Sequence, residues 1–164
     1  MQAVEYENVE QLNNLLSPED DFVTSLSNAS AFLNELLSDI NWVGFYLLRN
    51  GELILGPFQG KPACTRILIG SGVCGTAVAQ NKTQRVEDVH AFPGHIACDS
   101  ASNSELVVVL RAQNGAPIGV LDIDSPLYAR FSERDAANME RAAEIISRAI
   151  SAQLGELDKE ESNA

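Results

Sequence analysis

Residues 95–110 have the sequence HIACDSASNSELVVVL, which joins a polar segment to an apolar one. The β-branched and aliphatic run at its end predicts a buried strand. The preceding segment is rich in small residues and holds Cys98 between His95 and Asp99. Because chemistry is concentrated on loops that a rigid sheet holds in place, we expect this loop to carry a functional thiol. The alternative is a surface loop with an incidental cysteine.

The chain has 164 residues, of which 45% are hydrophobic, and its net charge is −12. This length and composition predict a single globular domain, placed at residues 1–155, followed by a charged and disordered tail at residues 156–164. No apolar run approaches the ~20 residues of a membrane span, and no basic signal region opens the chain, so we expect a cytoplasmic protein. The acidic surface repels phosphate groups and anionic lipids, so we expect neither nucleic acid nor membrane partners.

The chain contains three cysteines, Cys64, Cys74 and Cys98. An odd number in a reducing compartment disfavours a structural disulfide framework and favours reactive, metal-binding or buried thiols. Cys74 lies at the start of a predicted helix, whose dipole would lower its pKa, but its apolar neighbours fit burial equally well. His90, His95 and Cys98 lack a well-spaced fourth ligand, so we expect no metal, and nothing indicates a cofactor.

Hydrophobic periodicity predicts an α+β fold. Two hairpins, at residues 41–58 and 105–123, have Asn-Gly turn signals at Asn50-Gly51 and Asn114-Gly115. A helix capped by Ser17 is expected to end near residue 39, and a capping box at residues 132–135 begins a long final helix. The expected architecture is a mostly antiparallel central sheet with the N- and C-terminal helices on one face and a ligand pocket on the other.

Strand alternation places several chemically distinctive side chains on common faces. Trp42 and Tyr46 share a face of the first strand, Asp122 and Asp124 share a face of the last, and Glu105 begins the strand between. If these faces lie on one side of the sheet, a single pocket holds three carboxylates, an indole and a phenol below the loop cysteine. Each residue also has a structural explanation, since aspartates often end strands in water and strand tryptophans are often core.

Five segments together resemble the free methionine-(R)-sulfoxide reductases, which are single-domain enzymes of the GAF fold. The match runs from about residue 40 to about residue 135 and includes the cysteine spacing C-x9-C-x23-C. The segments are NWVGFY (41–46), GPFQGKPAC (56–64), GSGVCG (70–75), HIACDS (95–100) and LDIDSP (121–126).

The resemblance implies reduction of free L-methionine (R)-sulfoxide to L-methionine through a cysteine sulfenic acid and an intramolecular disulfide. Cys98 is then the nucleophile, Cys64 the main resolving thiol and Cys74 an alternative partner. A thioredoxin-type dithiol would reduce the disulfide, and a homodimer is possible. The preference for the R isomer comes from the resemblance alone. The residues expected to hold the substrate are Trp42, Tyr46, Glu105, Asp122 and Asp124.

The required chemistry agrees with this assignment. A sulfoxide oxygen leaves well only when it is protonated, and clustered carboxylates retain a proton at neutral pH, so Glu105 and Asp124 are candidate catalytic acids. Ionised carboxylates suit the α-ammonium group of a free amino acid. A second hypothesis is a non-catalytic GAF module that binds a small regulatory ligand such as a cyclic nucleotide, although an acidic pocket does not suit phosphate. A third is a structural protein with buried, inert thiols.

Overall fold

The computed structural model describes residues 9–95 and 101–163, and of residues 155–163 it describes the backbone. A short 3₁₀ turn at Val89–Ala91 supplements the helices and strands. The helices are α1 (Leu12–Leu15), α2 (Phe22–Leu36), α3 (Gly72–Gln80) and α4 (Glu133–Asn163). The strands are β1 (Trp42–Arg49), β2 (Glu52–Gly60), β3 (Arg66–Leu68), β4 (Gln84–Val86), β5 (Ser104–Arg111) and β6 (Pro117–Ser125).

The strands form a six-stranded sheet in the order β3-β2-β1-β6-β5-β4, and each neighbouring pair is antiparallel. Both predicted hairpins are present. The turn between β1 and β2 consists of Asn50 and Gly51, with φ angles of 49° and 78°. Two consecutive positive φ values give the backbone twist that matches tightly connected antiparallel strands, and Asn-Gly adopts them at low cost.

The sheet has a helix face and a pocket face, as the sequence predicts. Alternate residues of β1, β5 and β6 pack with α1, α2 and α4 in one apolar cluster, which includes Phe45, Val108 and Leu121. The intervening residues form a second cluster with α3, which includes Tyr46 and Val107. Both faces are therefore buried, and the polar residues on the second face lie between the sheet and α3.

The start of α2 differs from the prediction. The sequence predicts Ser17 as the N-cap, whereas the helix begins at Phe22 and its N-cap is Asp21, whose side chain accepts a hydrogen bond from the Val23 N–H at 2.9 Å. The Phe22 N–H donates to the side-chain oxygen of Gln153 at 2.8 Å. Because Gln153 belongs to α4, a contact between distant parts of the chain helps to set the start of this helix.

The capping box that begins α4 is present, with reciprocal hydrogen bonds between Ser132 and Asp135 of 2.8 and 3.1 Å. The backbone then stays helical to Asn163, whereas the sequence predicts a disordered tail after residue 155. Residues 156–163 contain no proline and several strong helix formers, so the helix continues past Gly155. The domain boundary at residue 155 stays a prediction. No helix in the described ranges is both long enough and apolar enough to cross a membrane.

Candidate active site

Strand register brings the predicted polar residues into neighbouring rows across the pocket face. Trp42 of β1 pairs with Asp124 of β6, which pairs in turn with Glu105 of β5. In the next row Gly44 pairs with Asp122. Cross-strand partners lie about 4.5–5.5 Å apart at Cβ, so the three carboxylates converge beside the indole. This convergence depends on pairing between strands that are distant in sequence.

These rows form the floor of a pocket that α3 and the neighbouring loops cover. Among the described residues, those that line it are Trp42, Tyr46, Pro62, Ala63, Ile67, Ser71, Gly72, Val73, Cys74, His95, Ser102, Glu105, Asp122 and Asp124.

Two of the three carboxyl groups are nearly inaccessible to solvent: Glu105 is 7% exposed and Asp122 is 6% exposed. Burial raises the pKa of Glu105 well above its usual range, and the negative charges of Asp122 and Asp124 raise it further. Burial also raises the pKa of Asp122, although its hydrogen bond with Glu105 opposes that shift. Interacting buried carboxyl groups share protons, so this group retains at least one proton where an exposed pair would be fully ionised.

One oxygen in this group is incompletely satisfied. Asp122 Oδ1 is buried and has no hydrogen-bond partner within the described part of the protein. Leaving a buried polar atom unpaired costs about 1–3 kcal/mol, so such an atom suits a site that a polar ligand group completes.

The cysteines occupy different chemical states. Cys64 takes part in a disulfide bond, whereas Cys74 is a free, buried thiol at the start of α3. Burial raises the pKa of Cys74 well above its usual range, with a further contribution from Asp122. Of the two readings of Cys74 in the sequence, burial therefore outweighs activation by the helix dipole, and the thiol stays protonated at neutral pH. Cys98 lies outside the described residues.

The polar atoms of Trp42 and Tyr46, in β1, donate hydrogen bonds to backbone carbonyls and not to the carboxylates. Trp42 Nε1 donates to the carbonyl oxygen of Lys61 at 3.1 Å, and the Tyr46 hydroxyl donates to the carbonyl oxygen of Cys64 at 2.9 Å. The Trp42 ring stacks on Tyr46 and on Phe58, with centroid distances of 6.0 and 5.2 Å. The rings of Trp42 and Tyr46 therefore form an apolar wall of the pocket, and Phe58 packs against the indole.

Two glycines make room for this wall. A Cβ atom on Gly44 would lie 2.8 Å from Trp42 Cη2 and 2.2 Å from Phe58 Cβ. A Cβ atom on Gly60, whose φ is +137°, would lie 2.5 Å from Trp42 Cδ1. The indole thus fills space that any other residue at these positions would occupy.

His95 lies at the edge of the pocket, next to the segment that is not described. Burial lowers the pKa of His95, and the nearby His90 lowers it further. The imidazole is therefore neutral at pH 7. A neutral ring supplies no positive charge to offset a negative charge on Asp99, which follows Cys98 in the sequence.

One group of residues has the composition of a metal site. Cys74, Glu105 and Asp122 each place one ligand atom within 4.8 Å of the others in the described part of the chain. Since burial raises the pKa of Cys74 and Glu105 well above their usual values, a cation would have to displace protons from them to bind there. The absence of a metal stays a prediction.

Comparison with known proteins identifies the family. The GAF domain family matches residues 24–151. The free methionine-R-sulfoxide reductase of Escherichia coli is 60% identical over 123 residues, which cover 75% of this chain and 74% of the relative. The enzyme of the same name from Saccharomyces cerevisiae is 46% identical over 135 residues, which cover 78% of this chain and 75% of that protein. The chain belongs to the free methionine-(R)-sulfoxide reductase family.

The fold of this family member also matches a solved structure with bound substrate. The structure of free methionine-R-sulfoxide reductase from Neisseria meningitidis, in complex with its substrate, has a TM-score of 0.87 and 45% identity. The alignment covers 93% of this chain and 92% of that chain. The predicted GAF-like α+β fold is thus confirmed.

The pocket of this family member brings together most, but not all, of the site residues that the sequence predicts. Cys64 lies beside the lining residues Pro62 and Ala63, although it is not itself among them. The predicted residues that line the pocket are Trp42, Tyr46, Cys74, Glu105, Asp122 and Asp124. Their individual roles stay predictions.

Sequence reasoning missed the part that Ser71 and Ser102 play in lining the pocket. Ser102 is buried and accepts a hydrogen bond from the Asn41 side chain at 3.1 Å. No spacing in the sequence signals a contact between residues 61 positions apart. Ser71 precedes α3 in the glycine-rich segment GSGVCG, which predicted that helix and contributed to the family resemblance but did not indicate a pocket residue at this position.

Proposed function

We propose that this chain reduces free methionine (R)-sulfoxide to methionine, with Cys98 as the nucleophile and Cys64 as the resolving thiol. The observation that carries the proposal is a buried carboxyl group, that of Glu105, in the same pocket as the rings of Trp42 and Tyr46, since burial raises its pKa and favours the protonated form beside an apolar surface. The activity named for the Escherichia coli relative, which is 60% identical, supports the same reaction.

In the first step the sulfur of Cys98 attacks the sulfoxide sulfur, and the oxygen passes to Cys98. The products are methionine and a cysteine sulfenic acid, so the sulfoxide is reduced by two electrons and the thiol is oxidised by two. Glu105 or Asp124 donates the proton that lets the sulfoxide oxygen leave. A protonated carboxyl group that burial keeps neutral is suited to this role. The neutral imidazole of His95 can accept the thiol proton.

In the second step the thiol of Cys64 attacks the sulfenic acid, which forms a disulfide and releases water. The disulfide at Cys64 and the free, protonated thiol of Cys74 support Cys64 over Cys74 as the resolving residue. Cys98 is its partner in this step, as the resemblance to the reductase family implies. A thioredoxin-type dithiol then restores the thiols by exchange.

The same pocket accounts for selection of the free amino acid. Asp122, together with whichever of Glu105 and Asp124 does not hold the catalytic proton, would bind the α-ammonium group, which a peptide-bound methionine lacks. The unpartnered Asp122 Oδ1 is available to accept one of its hydrogen bonds. The rings of Trp42 and Tyr46 would contact the S-methyl group and the partial positive charge on sulfur. A cytoplasmic location and a homodimer complete the proposal on the basis of the sequence analysis.

The proposal is tested by adding free methionine (R)-sulfoxide to the fully reduced protein and following methionine release and thiol loss. We expect one methionine and one disulfide per chain in the wild type and in Cys74→Ser, one methionine without a disulfide in Cys64→Ser, and neither in Cys98→Ser. Cys74→Ser is the matched control, since it makes the same change at the thiol that the proposal leaves unused. Full turnover by Cys98→Ser, or three unreactive thiols in the wild type, would contradict the proposal. Binding without turnover would favour the regulatory GAF module.

A further inference from the structure

The segment of residues 61–65, between β2 and β3, is attached to the sheet at three points. Trp42 Nε1 donates to the carbonyl of Lys61 at 3.1 Å, and the Tyr46 hydroxyl donates to the carbonyl of Cys64 at 2.9 Å. The third contact is between backbones, from the N–H of Leu55 to the carbonyl of Thr65 at 3.0 Å. We call this segment the Cys64 loop. Two of its three attachments are side chains of β1.

Burial of the two aromatic side chains maintains their hydrogen bonds to this loop. Trp42 is 2% exposed and Tyr46 is 1% exposed, so water cannot replace the loop carbonyls as partners for their donors. Burial raises the pKa of Tyr46, and the charge of Asp122 raises it further, so the hydroxyl stays protonated and remains a donor at neutral pH. A purely apolar wall would need only phenylalanine at these positions.

The aromatic rings and their polar atoms therefore contact different parts of the protein. The rings line the pocket, while the indole N–H and the phenol O–H contact the loop that carries the resolving cysteine. The contact from Tyr46 is made to the backbone of Cys64 itself, so it restrains the position of that Cα directly. A thiol must approach the sulfenic sulfur along a restricted direction, and small displacements of a reacting group slow such a step strongly.

We propose that Tyr46 and Trp42 are positioning residues for Cys64, and that they hold its loop where the thiol can resolve the sulfenic acid. This inference rests on the proposed function. In the step concerned, the Cys64 sulfur bonds to the sulfenic sulfur, the S–O bond breaks, and hydroxide leaves as water with the thiol proton. No external oxidant or reductant enters this step. Tyr46 and Trp42 act through the loop and do not contact the reacting atoms in it.

The test separates the second step from the first. Reduced protein is mixed with free methionine (R)-sulfoxide, without a reductant, in the presence of a sulfenic acid probe of the dimedone type. In Tyr46→Phe we expect the rate constant for disulfide formation to fall about five-fold, the effect of one buried hydrogen bond. The fraction of protein that the probe captures per methionine released rises accordingly. Tyr128→Phe is the matched control, because Tyr128 is 61% exposed and lies outside the pocket, and its capture ratio should equal that of the wild type.

A second measurement keeps the inference testable if the variant turns over slowly. Equilibration of the disulfide with dithiothreitol should show that Tyr46→Phe is reduced more readily than Tyr128→Phe, also by about five-fold. Trp42→Phe, which removes the N–H donor to Lys61, should move both readouts in the same direction. An unchanged capture ratio and disulfide equilibrium in Tyr46→Phe would overturn the inference while the proposed function stood. Absence of methionine release from the wild type would instead refute the proposed function, and the inference with it.

Discussion

Replacing Glu105 by glutamine should change how the stability of the protein depends on pH. Glutamine has nearly the same shape as protonated glutamic acid, but it neither gains nor loses a proton. In the wild type burial raises the pKa of Glu105 above the value of 4.5 that is usual for a glutamic acid. The folded state therefore retains a proton on this residue at pH values where the unfolded chain has already released it.

The sign of the effect follows from this proton. Because the folded pKa is raised, the stabilising contribution of the protonated acid is complete below pH 4.5 and is lost as pH rises toward the folded pKa. One proton changes the free energy of unfolding by at most about 1.4 kcal/mol per pH unit. Between pH 4.5 and pH 7 the free energy of unfolding of the wild type should therefore fall by about 1–3 kcal/mol more than that of Glu105→Gln.

Urea unfolding at several pH values measures this difference, with linear extrapolation to water at each pH. The single tryptophan, Trp42, provides the fluorescence signal, and a reductant keeps the cysteines as thiols in all samples. Glu19→Gln is the control, since Glu19 is exposed. The free energy of unfolding of this variant should depend on pH in the same way as that of the wild type. The reasoning is refuted if Glu105→Gln also runs parallel to the wild type, because Glu105 would then hold no extra proton in the folded state.

Three other substitutions test separate parts of the structure. Gly44→Ala should destabilise the protein by about 1–3 kcal/mol, because its Cβ would lie 2.2 Å from Phe58 Cβ, and an unchanged thermal unfolding temperature would argue against that packing. Asp21→Ala should cost about 1 kcal/mol in urea unfolding through loss of the α2 N-cap, with the parallel change Ser17→Ala costing less. Asp124→Asn should retain the fold by circular dichroism but lose sulfoxide reduction, and wild-type turnover in this variant would exclude an essential role for that carboxyl group.

The starts of α2 and α4, and the end of α4, illustrate which local features a sequence can predict. The capping box at the start of α4 uses residues three positions apart, and it is present as predicted. The N-cap of α2 is four residues later than predicted. Asp21 caps the helix there because Gln153, which lies far along the chain in α4, accepts a hydrogen bond from the N–H of the next residue, Phe22. The continuation of α4 past residue 155 shows that high charge alone does not end a helix.

Much of the candidate site was predictable because strand alternation is a strictly local property. A side chain in a strand points to the face opposite its neighbours, so the positions of Trp42, Tyr46, Asp122 and Asp124 in the sequence assigned each of them to a face. The cysteine spacing and the five sequence segments then indicated the family, which the comparisons confirm.

By itself, then, the sequence predicted the two hairpins, the face of its own strand on which each hairpin residue lies, and the family, but not the short strand β3. Tertiary structure decided that Trp42, Asp124 and Glu105 form one row, that burial keeps a proton on Glu105, and that Tyr46 holds the Cys64 loop. The physical reason is that desolvation and cross-strand contact depend on residues that only folding brings together. A carboxyl group has an ordinary pKa in the unfolded chain, and it acquires an unusual one only when the sheet and α3 exclude water from it.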